Sequence, residues 1–157
     1  MALKTGDKAP DFTLHDTEKK QRTLKEFIGK KTILAFYPGA FSGVCTKEMC
    51  TFRDWTADLA TLGAGMVAIS VDSPLVNKAF ADQHKLNFPV LCDYTKEVSR
   101  QYCGLYDSFA GLPGLHAAKR SVFILDNTGT IRYSWISETN PGAEPPFDEI
   151  RSALNSF

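Results

Sequence analysis

An apolar run, Ile33 to Tyr37, stops at Pro38-Gly39, and a helical pattern begins a few residues later. This junction constrains the fold more than any other stretch. The run is continuous rather than alternating, as in strands buried on both faces. Pro38 has no backbone donor and Gly39 suits a turn, so neither extends the strand. From Gly43 onward Cys45, Met49, Phe52, Leu59 and Leu62 recur at helical steps, with Trp55 close by, and Gly63 is placed to end the helix. A buried strand therefore feeds a tight turn, and the turn feeds a long helix carrying Cys45 in its first turn. Unpaired amides and the dipole at a helix N-terminus favour a thiolate, the reactive form of cysteine. Ser42 stands at the N-cap position, so its hydroxyl is expected to bond the Cys45 amide or atoms reacting beside the thiol. A cysteine on an apolar stripe is commonly just a small buried hydrophobe. Its first-turn position, with Pro38 and Ser42 before it and Cys50 after it, argues for chemistry instead.

The rest of the chain reads as scaffold for this junction. Phe12 to Leu24 predicts a short hairpin around a charged turn, and Lys25 to Ile28 one helical turn closed by Gly29. Strands are predicted at 32–37, 66–71 and 88–91. Helices are predicted at 43–62, from Ser73-Pro74 to about His84, and at 96–102. Residues 104–118 contain four glycines or prolines and show no period, which predicts a loop. Ser121 to Leu125 and Ile131 to Ile136 predict a hairpin about Asp126 to Gly129. An irregular stretch at 141–146 precedes a last helix over 147–154. Strands alternating with helices, followed by a late hairpin, give an α/β sandwich around a mixed central sheet.

Composition narrows the functions. The 157 residues suit one domain with a substantial core, and residues 1–157 are read as such. Eighteen basic residues balance eighteen acidic ones, which argues against electrostatic binding of nucleic acid or a membrane surface. Met1 to Asp7 lacks an apolar core of the signal-peptide kind, and no apolar stretch is long enough to span a bilayer. A cytoplasmic location is the expectation. Four cysteines are too few for a disulfide-stapled secreted scaffold, so they read as catalytic or buried. No Cys-x-x-Cys pair occurs, and His15, His84 and His116 show no ligand spacing, so no metal or other cofactor is expected.

Pro-x-x-x-(Thr/Ser)-x-x-Cys after a strand ending Phe-Tyr-Pro resembles the peroxidatic signature of the peroxiredoxins, with Pro38, Ser42 and Cys45 in register. Cys-Thr-Lys-Glu-Met-Cys, with the second cysteine five residues on, is similar to the bacterioferritin-comigratory or Q-type branch. The likeness runs from Gly6-Asp7-Lys8-Ala9-Pro10-Asp11-Phe12 to the last helix. It implies a thioredoxin-like fold with the family's N-terminal hairpin, and a peroxidase acting on hydrogen peroxide and organic hydroperoxides.

The same resemblance distributes the roles. Cys45 is the peroxidatic thiol, shielded by Pro38, with Ser42 bonding thiolate and peroxide. Cys50 is the resolving thiol, and a thioredoxin-like or glutaredoxin-like donor recycles the disulfide. Of six arginines, Arg120 stands directly before an apolar strand, as the family's arginine does. Glu48 either orients that arginine or is an exposed helix residue, with Arg53 as another partner for it. Cys92 and Cys103 read as structural. The assembly implied is a monomer or a homodimer. The competing readings are a protein dithiol–disulfide oxidoreductase, disfavoured by the missing Cys-x-x-Cys, and a redox-regulated chaperone or sensor.

Overall fold

The computed structural model describes residues 2–157. Strand β1 (Thr13–Asp16) and β2 (Gln21–Thr23) form the N-terminal hairpin. A short 3-10 turn at Leu24–Glu26 leads to β3 (Lys31–Phe36), after which come α1 (Gly43–Thr61), β4 (Ala64–Ser70) and α2 (Pro74–His84). Next are β5 (Val90–Cys92), α3 (Glu97–Tyr102), β6 (Leu105–Tyr106), β7 (Ala117–Ala118), β8 (Ser121–Leu125), β9 (Ile131–Ile136) and α4 (Phe147–Leu154). Seven strands form one mixed sheet in the order β2-β1-β5-β4-β3-β8-β9. The three middle strands β5, β4 and β3 run parallel, and the flanking pairings are antiparallel.

Because successive strand residues face opposite sides, β3 splits its apolar run between two cores. Ile33, Ala35 and the following Tyr37 pack with Met49, Phe52, Trp55 and Leu59 of α1, Phe80 of α2, and Ile150 and Leu154 of α4. Leu34 and Phe36 face the other side, with Leu14, Val98, Tyr102 and Phe123. Helix-lined packing on both sheet faces is what the continuous run requires.

Three expectations are corrected. The strand expected at 88–91 begins only at Val90, because Pro89 has no amide to give the ladder; its carbonyl still accepts from Ala68. Residues 104–118 are not wholly loop, since β6 and β7 pair antiparallel as Leu105↔Ala118 and Tyr106↔Ala117. Two-residue strands are too short to show a period. Leu62 is 41% exposed rather than on the buried stripe, because α1 ends at Thr61 and the chain turns toward β4. Among the described residues no helix is long and apolar enough to cross a membrane.

Candidate active site

The buried end of β3 passes through Tyr37 and Pro38, both inside the molecule, into the turn at 39–42. Phe41 in that turn has φ 68°, a left-handed conformation unusual for a bulky residue. Helix α1 then starts at Gly43 with Ser42 as its cap residue. The Ser42 carbonyl accepts from the Thr46 amide at 2.9 Å and the Thr46 hydroxyl at 2.8 Å. The Ser42 hydroxyl makes no cap bond, contrary to expectation. Its backbone nonetheless has the extended geometry a cap needs. Its Oγ is buried without a partner among the described residues. Nor does α1 carry an acidic residue in its first turn, so no carboxylate competes for its positive end.

Cys45 is fully buried in that first turn. Arg120, 75 positions away, reaches it because β8 runs antiparallel to β3 with Ser121 opposite Phe36. The start of β8 thereby lies beside the exit of β3. Arg120 Nη2 donates to Cys45 Sγ at 3.3 Å, and Nη1 to Glu48 Oε1 at 2.6 Å. Nε and Nη2 both donate to the Pro141 carbonyl, at 3.1 and 2.7 Å. The Arg120 backbone is pinned as well. Its amide donates to Tyr106 Oη at 3.3 Å and its carbonyl accepts from the Ser137 amide at 2.9 Å. Tyr106 Oη in turn donates to the Ser137 carbonyl at 2.6 Å. A cation fixed on every side therefore faces a buried sulfur.

Glu48 and Arg120 are 0% and 1% exposed. Burial pushes the Glu48 carboxyl up to about 7, with Arg120 pulling it partway back. The unpartnered Glu48 Oε2 agrees with that direction. Burial also opposes the charge on Arg120, yet the Glu48 carboxylate and the Cys45 sulfur outweigh it and hold the guanidinium above its ordinary range. The other buried thiols lie in different surroundings. Burial pushes Cys92 up to about 11 and Cys103 up to about 12, which disfavours their thiolate forms at neutral pH.

A scan against protein families matches residues 5–134 to the AhpC/TSA family. The chain belongs to that family. Its relatives include a chloroplastic peroxiredoxin Q of Sedum lineare, 35% identical over 97% of this chain and 78% of the relative. A chloroplastic peroxiredoxin Q of Gentiana triflora is 34% identical over 96% of this chain, which spans 66% of that relative's length. Among solved structures, peroxidoxin BcpB of Mycobacterium tuberculosis superposes with a TM-score of 0.82 at 31% identity, covering 97% of this chain and 96% of that one. Both the thioredoxin-like α/β architecture and the Q-type resemblance hold.

In this AhpC/TSA chain the fold brings Cys45, Glu48 and Arg120 into direct contact. Cys50 is half-buried on the same helix, and all four cysteines are free thiols. Glu48 is a buried partner of Arg120, not an exposed helix residue. Arg53 instead contacts Asp54 and the His84 carbonyl. Sequence reasoning missed Tyr106 and Pro141. Tyr106 belongs to a strand without a pattern, and Pro141 contributes a backbone carbonyl, which no side-chain type announces.

Proposed function

We propose that this protein is a thiol-dependent peroxidase with Cys45 as the peroxidatic residue, acting on hydrogen peroxide and organic hydroperoxides. The observation that carries the reading is the Arg120 guanidinium donating to Cys45 Sγ while fixed by Glu48 and Pro141. A preorganised cation serves a reaction in which charge moves from sulfur to a departing oxygen. The Cys45 thiolate attacks one peroxide oxygen, the S–O bond forms as the O–O bond breaks, and the departing oxygen takes a proton to leave as water or an alcohol. Cys45 is left as a sulfenic acid. Pro38 shields the sulfur, and the unpaired Ser42 hydroxyl is available to bond the peroxide. The Cys50 thiol then condenses with the sulfenic acid, forming a disulfide and releasing water. A thioredoxin-like or glutaredoxin-like dithiol reduces that disulfide.

Condensation requires α1 to open. A disulfide needs Cα atoms roughly 4.4–6.8 Å apart with facing Cβ atoms. Five helical residues advance about 7.5 Å and turn about 140° past a full revolution. Cys45 and Cys50 both lie within α1, so its first turns must unwind between sulfenic acid and disulfide.

The test is peroxide consumption with each cysteine replaced by serine. Cys45→Ser is expected to abolish it. Cys50→Ser should allow one turnover and then stall, while Cys92→Ser and Cys103→Ser keep turning over. An undiminished rate in Cys45→Ser would overturn the assignment.

A further inference from the structure

The turn at 39–42 is tied down by a hydrogen-bond relay that the reaction itself does not use. Tyr37, directly before Pro38, donates its hydroxyl proton to Asn77 Oδ1 at 2.6 Å. Asn77 Nδ2 donates to Ser70 Oγ at 3.0 Å, and Ser70 Oγ donates to Asp72 Oδ2 at 2.8 Å. The same carboxylate oxygen accepts the backbone amide of Ala40 at 2.8 Å. The relay thus starts one residue before Pro38, crosses β4 and α2, and returns two residues after it. Asn77 Nδ2 also donates to Cys92 Sγ at 3.4 Å, and Ser70 Oγ lies 3.4 Å from Asn77 Oδ1, but the shortest bonds run in one direction and end on a carboxylate, which only accepts. Tyr37, Ser70 and Asn77 are fully buried, while Asp72 is half-buried and keeps some hydration for its charge.

We propose that Asp72 is a positioning residue for the catalytic turn, acting through the Ala40 amide. Packed apolar residues often stabilise an interior as well as a buried polar network does, so stability alone does not explain four connected polar side chains here. What this network supplies is a fixed direction for one loop amide. Phe41, the next residue, holds its left-handed φ of 68°, and such strain persists only where the surroundings over-determine the backbone. The Asp72–Ala40 bond is one such constraint. Through it the turn that links Pro38 to Ser42 and the start of α1 is held in one geometry. Peroxide attack needs that geometry, because the incoming oxygen must align with both sulfur and Ser42, whereas alkylation of the thiol does not.

The inference rests on the peroxidase reading, and the experiment separates the two. Three quantities are measured on wild type, Asp72→Ala and Asp72→Asn: the rate constant of Cys45 oxidation by hydrogen peroxide, its alkylation rate by iodoacetamide at the same pH, and hydrogen exchange of the Ala40 amide. Asp72→Ala is expected to slow peroxide oxidation by about tenfold or more, as misplacement of reacting groups does, with alkylation changed far less and Ala40 exchange accelerated. Asp72→Asn retains an acceptor oxygen and should restore peroxide oxidation to within about threefold of wild type. Should Asp72→Ala fail to fold, Ser70→Ala, which deletes the donor beside Ala40, carries the test with the same selective loss expected. Parallel losses of oxidation and alkylation, no rescue by Asn, or an unchanged Ala40 amide would each overturn the proposal. A wild-type protein inert to peroxide would instead remove the peroxidase reading, while the Ala40 exchange still judges the tether.

Discussion

Between Gly43 and Cys50, α1 is held largely by polar bonds to one buried guanidinium, whereas from Phe52 to Thr61 the same helix is held by aromatic packing. In the first half, apart from the local Thr46 hydroxyl bond to the Ser42 carbonyl, the buried side-chain bonds run through one guanidinium, which joins Cys45 and Glu48 to the Pro141 carbonyl. The Lys47–Glu144 pair adds little, with its side chains 71% and 39% exposed. Gly43, Val44, Thr46 and Thr51 are weak helix formers, and the cap hydroxyl is unused. Met49 is the chief apolar anchor of this half. In the second half Phe52, Trp55 and Phe147 of α4 pack edge to face, with ring centroids 5.2–5.7 Å apart. Arg151 lies over Trp55 at 4.4 Å. Dispersion and apolar burial do not depend on the redox state of a sulfur, whereas the Arg120 contact of the first half is made to the Cys45 sulfur itself. On the proposed disulfide chemistry, a helix built this way is expected to open at one end and stay fixed at the other.

The largest expected effect is on hydrogen exchange. Forming the Cys45–Cys50 disulfide should expose amides around 43–50 by orders of magnitude while those around 53–61 keep their protection. Equal deprotection along the whole helix, or peptide mapping that joins Cys45 to Cys92 or Cys103, would break the comparison. Next comes Phe52→Ala. Removing a fully buried ring from the anchor should cost about 3–5 kcal/mol by urea unfolding, and in the disulfide form opening should spread toward Thr61. A loss below about 1 kcal/mol would mean that the aromatic cluster is not the anchor.

The smallest effect concerns pH. Glu48 is raised from its ordinary 4.5 to about 7 by burial, against the pull of Arg120. Below 4.5 the carboxyl is protonated in both folded and unfolded chains. Between 4.5 and about 7 the folded state keeps a proton that the unfolded chain has lost, so this group's contribution to stability falls as pH rises through the window. Glu48→Gln stays neutral throughout and should flatten that slope. Urea midpoints at pH 5 and pH 7.5 for the two proteins measure it, and equal slopes would show that Glu48 is not held neutral by burial.

Local signals in the chain determined a large share of this protein. The continuous run Ile33 to Tyr37, its stop at Pro38-Gly39, and the apolar steps from Cys45 to Leu59 express backbone sterics and burial within a few residues, so the strand–turn–helix junction was readable directly. The late hairpin at Ser121–Leu125 and Ile131–Ile136 was legible for the same reason. Arg120 was singled out among six arginines only by resemblance, because a charged residue before a strand looks the same whether it meets water or a sulfur. Tertiary structure decided the rest. The antiparallel register of β8 on β3 aims the guanidinium at Cys45. The 137–141 segment folding back puts the Pro141 carbonyl on it. Burial turns Glu48 from a surface-like helix residue into its partner, and the Ser42 hydroxyl is left unpaired, which cap propensity does not foretell. Electrostatic partners across 75 residues are set by strand register and burial, which depend on the whole chain. No short window of sequence encodes them.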